Sequence, residues 1–475
     1  MIPRLSASEL LSRRQNRFDL QETVARQIID RVRTYKDRAL IELSHEIDGI
    51  SLDMEGLQVS RDEIMRARAV VDREFMDAAM FAFENIKAFH ERQPVASWTM
   101  ELDGDGFLGQ RMAPLKRVGI YTPGGKAAYP STVMMTAIPA RVAGVEEIIM
   151  CTPLSKNGEI NPFVLVAADI CGVDKIFKVG GAQAIAAMAY GTDIVPRVDK
   201  IVGPGNAFVT SAKKLVYGDV GIDMLAGPSE ILILADDTAD PAFVAADMLS
   251  QAEHDELASA VLITTAAGLS DLVDAEVERQ TRNAPRREVI IKALMRNGGA
   301  VKVSSMGEAI EISNEYAPEH LELLVADPMA LLEKIKNAGT IFLGHYSPEP
   351  VGDYVAGPNH VLPTLGCARY RGTLGCLDFL KPINVVKYSP RNLAKASPYA
   401  IKLAETEGLF AHANSMRIRL DSMGAIQCQD NSAKDTKQDP RSDESMMQGS
   451  RPGESMTQDS HPDESMAGSR GNEAS

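Results

Sequence analysis

Between about residues 116 and 345, short β-rich runs alternate with longer helix-like stretches. The runs are RVGIY, EEIIMCT, KIFKVG, DKIVG, EILILAD, AVLITT and TIFLG. Stretches such as TVMMTAIPARVAG, FVLVAADICG and AQAIAAMAYG fall between them. Strands separated by single helices wind into right-handed βαβ units, which build a parallel sheet covered on both faces. Seven strands are more than one small sheet needs. The pattern therefore predicts an α/β protein with two doubly wound, Rossmann-like domains, each with its own open sheet. From about residue 20 to 110 apolar residues recur every three or four positions, as in TVARQIIDRVRTYKDRALIELSHEID, which predicts a helical N-terminal region. Beyond DFLKPINVV the pattern turns helical again and runs to SMRIRLDSM.

The last fifty residues differ in kind. From Gln427 onward there is no aromatic residue and hardly an aliphatic one, and the triplet ESM recurs at Glu444, Glu454 and Glu464. Repeats whose main apolar residue is Met cannot offset the entropy of ordering, so residues 425–475 read as a disordered tail. His461 within it is no ligand candidate. A net charge of −15 argues against nucleic acid or an anionic membrane surface as the main partner. No apolar run approaches the roughly 18 residues of a membrane span, and MIPRLSASELLSRRQNRFDL lacks the apolar centre of a secretory signal. The cysteines Cys151, Cys171, Cys367, Cys376 and Cys428 are scattered, with no CxxC pair. A thiolate metal site or disulfide framework is not expected, and the reading is a reduced, cytoplasmic protein.

Outside the tail, polar residues stand out in four places. In LSQAEHDE, Gln251 and His254 are three apart at the end of an otherwise apolar helix, a spacing that puts both on one face. Alone, the pair reads equally as a polar last turn with a histidine at a helix C-terminus. In NEYAPEHLELL, Glu319 precedes His320, and Pro318 can occupy the first turn of a helix. That dipeptide can present a general base with an orienting partner, or simply a capped helix start. His360 and Asp353 share the Gly/Pro-rich VGDYVAGPNHVLPT, a loop suited to a binding wall or to plain turn chemistry. His412 ends AETEGLFAH, with Glu407 five residues before it and Gly408 between them. Taken together, Gln251, His254, Asp353 and His412 form a nitrogen–oxygen donor set of the kind that suits catalytic Zn²⁺, or Mn²⁺ in its place.

YTPGGKAAYPS, VGGAQAIAA and VGPGNAFV each follow a strand and precede a helix. There a parallel sheet sets backbone N–H groups and helix starts against phosphates. None matches GxGxxG. One such stretch is only a tight turn, but three on one sheet point to a nucleotide cleft.

The long stretches RVGIYTPGGKAAYPSTVMMTAIPARVAGV, VGGAQAIAAMAYGT, DKIVGPGNAFVTSAKKLVYGDVGIDMLAGPSE, LSQAEHDE, EYAPEHLEL, VGDYVAGPNHVLPT and EGLFAHANSMRIRL together resemble the histidinol dehydrogenase family, over about residues 20–420. The resemblance implies a zinc-dependent enzyme that oxidises L-histidinol to L-histidine through L-histidinal with two NAD⁺. It implies Gln251, His254, Asp353 and His412 as zinc ligands, and Glu319 and His320 as the acid–base pair. Ser229, His360 and Glu407, together with the zinc ligands and His320, would hold the substrate, while Tyr121, Gln183 and Asn206 would line the NAD⁺ site. It further implies a homodimer whose C-terminal segment reaches into the partner's active site. The organisation expected on these grounds is an arm of residues 1–20, an α/β domain of 21–115 with 228–370 that carries most metal and catalytic residues, a Rossmann-like NAD⁺ domain of 116–227, and a dimer-crossing extension of 371–424 before the tail.

Two features depart from the family. LGCARYRGTLGCLDFLK follows NHVLPT, so Cys367 and Cys376 replace small or polar residues beside the active-site loop, and the repeat tail has no counterpart. Competing readings are a dehydrogenase of another small polar alcohol, a non-catalytic NAD- or metal-binding protein, and an interaction protein acting through its tail. Glu407 with His412, and Glu319 with His320, weigh against the first two respectively.

Overall fold

The computed structural model describes residues 2–13, 21–93, 96–124, 128–155 and 157–435, with side chains as far as Gly424. It divides into two compact units, Met1–Glu101 with Phe107–Lys387 and Leu102–Gly106 with Tyr388–Ser475.

In the first unit, β1 (Trp98–Glu101) and β2 (Phe107–Pro114) form an antiparallel pair. A parallel sheet follows, built from β3 (Arg117–Tyr121), β4 (Glu147–Cys151), β5 (Lys175–Phe177), β6 (Lys200–Val202) and β7 (Gly221–Ile222) in the order β5-β4-β3-β6-β7. The next strands, β8 (Glu230–Ala235), β9 (Ser259–Thr264), β10 (Gly299–Lys302), β11 (His320–Leu324) and β12 (Thr340–Leu343), form a second parallel sheet in the order β10-β9-β8-β11-β12. Counted within each sheet both orders are 3-2-1-4-5, so each reverses direction beside its first strand, as a doubly wound sheet does. β13 (Leu380–Lys387) then returns antiparallel to β2. The two sheets and their crossover helices bear out the fold expected from the alternation.

Both sheets are buried on two faces, as parallel sheets must be. On one face of the first lie Pro130–Val142 and Pro162–Ile170, themselves covered by Arg61–Val70 and Arg73–His90. On the other lie Gly181–Tyr190 and Ala207–Val216, covered by Glu22–Leu43. The helices of residues 22–90, grouped by the sequence reading with the second sheet, thus pack on the first. The cause is visible in Gly181–Tyr190, whose residues 182–189 are all buried. A helix apolar all round needs cover on its outer side, and Ile28, Ile29, Val32, Leu40 and Leu43 supply it. The second sheet carries Pro241–Ala252, Leu269–Thr281 and Arg287–Asn297 on one face and Ala7–Arg13 with Met306–Tyr316 on the other. Its β10 edge is extended by the chain's start: Ala300 N–H donates to Pro3 O at 2.8 Å, and Leu5 N–H to Ala300 O at 2.9 Å.

Three local expectations are corrected. Residues 98–101 and 107–114 are strands inside the stretch read as helical. β1 is exposed along its length, so it lacks the alternation that marks a half-buried strand. Residues after Pro318 start a strand rather than a helix: β11 is buried throughout and pairs with β8 and β12, and the Glu within HLELL disguises its apolar run. In the second unit, Ser389 and Asn392 form a reciprocal cap at the start of the helix Pro390–Thr406. Gly408, at φ 74°, ends that segment before the helix Phe410–Asp435. Residues 425–435, assigned to the disordered tail, therefore continue a helix, since no Gly or Pro interrupts them and propagation costs little once a helix is under way. The ESM repeats and His461 lie outside the described residues, as do 14–20 of the expected arm.

Candidate active site

β8 and β11 are neighbours, with His320 opposite Ile231. Their first residues place two acids and a histidine together at the N-terminal end of the sheet. Glu319 Oε2 accepts the Glu230 N–H at 2.8 Å, and His320 Nδ1 lies 3.0 Å from Glu230 O. A carbonyl only accepts, so Nδ1 keeps its hydrogen and Nε2 is the nitrogen at which the ring gains or loses its second proton. That nitrogen is buried and makes no hydrogen bond. It faces Asp353 Oδ1 at 3.7 Å and Glu349 Oε1 at 3.8 Å. Both acids come from the helix Glu349–Tyr354, four residues apart and so on one face. One donor atom each from His320, Glu349 and Asp353 lie within 4.8 Å of one another, a grouping able to hold a metal ion.

The electrostatics follow from crowding acids in a dry place. Burial raises Glu319 to about 8, with His320 opposing, and raises Glu349 to about 8, helped by Asp353. Burial also disfavours the His320 imidazolium, but Glu319, Asp353 and Glu349 outweigh it and push the ring up to about 10. Burial pushes Asp353 up, but the charges of His320 and His360 beside it outweigh that and hold the carboxyl down to about 2. Behind this cluster, Glu322 Oε1 accepts the Glu349 N–H at 2.8 Å. Burial and the neighbouring Asp247 push the Glu322 carboxyl well above its ordinary value.

Gln251 lies in the last turn of the helix Pro241–Ala252, while His254, expected on the same helix face, stands in the turn just beyond its end, its N–H donating to Gln251 O at 3.3 Å. Gln251 is fully buried, yet neither its Oε1 nor its Nε2 has a hydrogen-bond partner. His254 sits at the rim: the residue is exposed as a whole, but protein around its ring holds the imidazole below its usual value while Asp353 works the other way. His360 Nδ1 lies 3.0 Å from Asp353 O, and its neighbour Asn359 donates to Met135 O at 2.5 Å, which ties the loop to the first sheet's helix Pro130–Val142. Ser229 immediately precedes β8. Glu407 and His412 are exposed and belong to the second unit. Sequence reasoning missed Glu349; the only signal was its four-residue spacing from Asp353. It also named Cys367 and Cys376 as disturbances. Cys376 is buried, its Sγ 3.6 Å from His90 O and Pro139 O, while Cys367 Sγ receives the Tyr370 hydroxyl at 2.9 Å. Both fit without a disulfide.

The glycine-rich turns leave the C-terminal ends of β3, β5 and β6, beside the reversal point of the first sheet. Tyr121, the last residue of β3, is buried and accepts the Gly181 N–H on its hydroxyl at 3.1 Å. A Cβ on Gly180 would fall 2.5 Å from Pro153 Cβ, and one on Gly203 2.2 Å from Tyr121 O. The turns close on one another where no side chain fits. Thr122 Oγ1 and Gln183 Nε2 are buried there without partners. Asn206 caps Ala207–Val216 through its Oδ1. Buried polar groups are ordinarily satisfied, so these orphans at a reversal point are free to take a polar ligand.

Comparison with known proteins decides the family. The family model described as histidinol dehydrogenase matches residues 11–420. A histidinol dehydrogenase of Geobacter sulfurreducens is 52% identical over 400 residues, 84% of this chain and 93% of that protein. One from Clostridium acetobutylicum is 51% identical over 392 residues, 82% and 90% of the two. The chain belongs to the histidinol dehydrogenase family. It is an NAD-dependent oxidoreductase, and its reaction is histidinol oxidation in histidine biosynthesis. The fold agrees: the crystal structure of histidinol dehydrogenase from Elizabethkingia anophelis superimposes with a TM-score of 0.84 at 38% identity, covering 89% of this chain and 99% of that one. Among the described residues no helix is long and apolar enough to cross a membrane.

Proposed function

We propose that this chain catalyses the whole four-electron oxidation of L-histidinol to L-histidine by way of L-histidinal. Two NAD⁺ are reduced in succession, and one Zn²⁺ per subunit is held by Gln251, His254, Asp353 and His412. The observation that carries the metal is Gln251, fully buried with both amide atoms unpartnered, on the same helix end as His254. Each buried polar group left so costs roughly 1–3 kcal/mol, and a cation on the amide oxygen removes the oxygen's share. Asp353 is near enough to the His254 ring to act on its charge, and all the proposed donors are nitrogen or oxygen, which suits Zn²⁺ in an open catalytic site.

When bound, zinc supplies a positive centre that orients and polarises the substrate, and NAD⁺ accepts hydride. Everything else falls to the chain. With Asp353 engaged by a cation, the acids pull less on His320, and its Nε2 is free to take the alcohol proton as hydride leaves the carbinol carbon. Glu319, raised by burial, exchanges a proton with the water that adds to the aldehyde, and the hydrate then loses a second hydride. Ser229, His360 and Glu407 hold substrate polar groups, and Tyr121, Gln183 and Asn206 line the dinucleotide site. Glu407 and His412 are supplied across a homodimer, and the enzyme works in the cytoplasm.

A stoichiometric assay tests this. Limiting L-histidinol with excess NAD⁺ yields two NADH per substrate, with no aldehyde trapped by an added scavenger. Chelation stops turnover and Zn²⁺ restores it. One NADH per substrate, or turnover indifferent to chelation, overturns the proposal.

A further inference from the structure

Lys213 and Asp223 form a buried ion pair that the chemistry above does not use. Lys213 is on the helix Ala207–Val216 and Asp223 follows β7; they are 2% and 0% exposed. Lys213 Nζ contacts Asp223 Oδ1 directly and also donates to Gly203 O at 2.9 Å. Asp223 Oδ2 accepts the Gly203 N–H at 2.7 Å, and its Oδ1 accepts the Met224 N–H at 2.6 Å. Both backbone polar groups of Gly203 therefore belong to this pair. Gly203 has φ 113° and opens the turn Gly203–Pro204–Gly205–Asn206, pressed against the last residue of β3. One turn earlier on the same helix, Thr210 donates to Ala226 O at 3.2 Å, fixing the segment that leads to β8.

Stability alone does not account for such a pair, because apolar residues of similar volume are often at least as stable as a buried ion pair. Apolar residues, however, cannot hold the N–H and C=O of a glycine at a turn that no side chain can enter. We propose that Lys213 and Asp223 are positioning residues for the NAD⁺ site, clamping the Gly203–Asn206 turn against Tyr121 at the reversal point of the first sheet. This rests on the NAD⁺ cleft assigned above.

The test compares wild type with Lys213→Met/Asp223→Asn, which removes both charges together and leaves no lone buried charge, and with the milder Lys213→Gln/Asp223→Asn, which also removes both but keeps an amide at position 213 to donate towards the Gly203 carbonyl. Circular dichroism melting establishes that each variant is folded. NADH affinity is read by fluorescence titration, and KM for NAD⁺ and for histidinol by steady-state assay. In Lys213→Met/Asp223→Asn the NADH dissociation constant and KM for NAD⁺ rise about tenfold or more, as a displaced binding turn does. KM for histidinol and zinc content stay within about twofold. Lys213→Gln/Asp223→Asn falls between. A folded variant that binds NADH like wild type overturns the proposal, as does an equal rise in both KM values with loss of metal, which marks a general structural role. Wild-type protein that binds no NADH would instead sink the underlying cleft.

Discussion

His320 has one nitrogen tied to the Glu230 carbonyl and one facing acids, while Glu319 is tied to the Glu230 N–H. The two residues should therefore fail differently. His320→Ala slows oxidation of histidinol, whereas Glu319→Gln, which keeps an acceptor for the Glu230 N–H, chiefly impairs oxidation of histidinal. Each loss is roughly 10²–10⁴-fold if these are general acid–base groups. Assays started from the alcohol and from the aldehyde separate them, and equal losses on both substrates for both variants would refute a division of labour. At this scale the sequence showed those residues that look out of place. Gln251, His254, Asp353, Glu319, His320 and His360 are polar side chains at turns or apolar helix ends. It hid Asp247, Glu322 and Glu349, because an acid within an apolar strand or helix reads as a solvated position until the third dimension shows what covers it. His412 entered from the sequence only as one of a nitrogen–oxygen donor set, beside the helix-breaking Gly408, and the role of Glu407 came from the family resemblance.

The elements explain why two kinds of chemistry share one chain. The first sheet offers the C-terminal ends of its strands, where turns can approach a dinucleotide closely. The second offers the N-terminal ends of β8 and β11 with the last turn of Pro241–Ala252, where side chains converge. The closest approach in the first sheet is that of Gly203 to Tyr121, and it sets a prediction. Gly203→Ala forces a Cβ onto backbone at a left-handed φ, at a cost of at least about 1–2 kcal/mol before the clash is counted. Its melting temperature falls and KM for NAD⁺ rises; an alanine variant that matches wild type in both measurements would show that the approach is slack. The strands with strong β-branched runs were legible from sequence because burial on both faces makes them continuous. β1 is exposed, β2 and β13 only partly buried, and β10 and β11 are short or interrupted by charge, so none of these announces itself.

Over the whole molecule, charge and chain ends matter most. Residues 436–475 hold four Lys/Arg (Lys437, Arg441, Arg451, Arg470) and eight Asp/Glu (Asp439, Asp443, Glu444, Glu454, Asp459, Asp463, Glu464, Glu473), so 4 − 8 = −4 of the total −15 lies there. An acidic segment of this composition is repelled by an acidic protein and has little to bury. A chain ending at Asp435, which spares the last helix, should keep its melting temperature and kcat while small-angle scattering reports a smaller radius. A several-fold loss of activity would mean the repeats dock. The opposite terminus behaves differently, because Pro3–Leu5 hydrogen-bond to Ala300 and Leu10 is buried among the helices of the second sheet. Leu5 and Ala300 are 300 − 5 = 295 residues apart, so at roughly 5–20 residues per second the ribosome needs roughly 15–60 s to make the partner that the first strand-like residues await. Through that interval the first sheet can already have closed, while residues 3–5 stay unpaired and in reach of chaperones and proteases: a segment synthesised long before its partner is among the last to be secured.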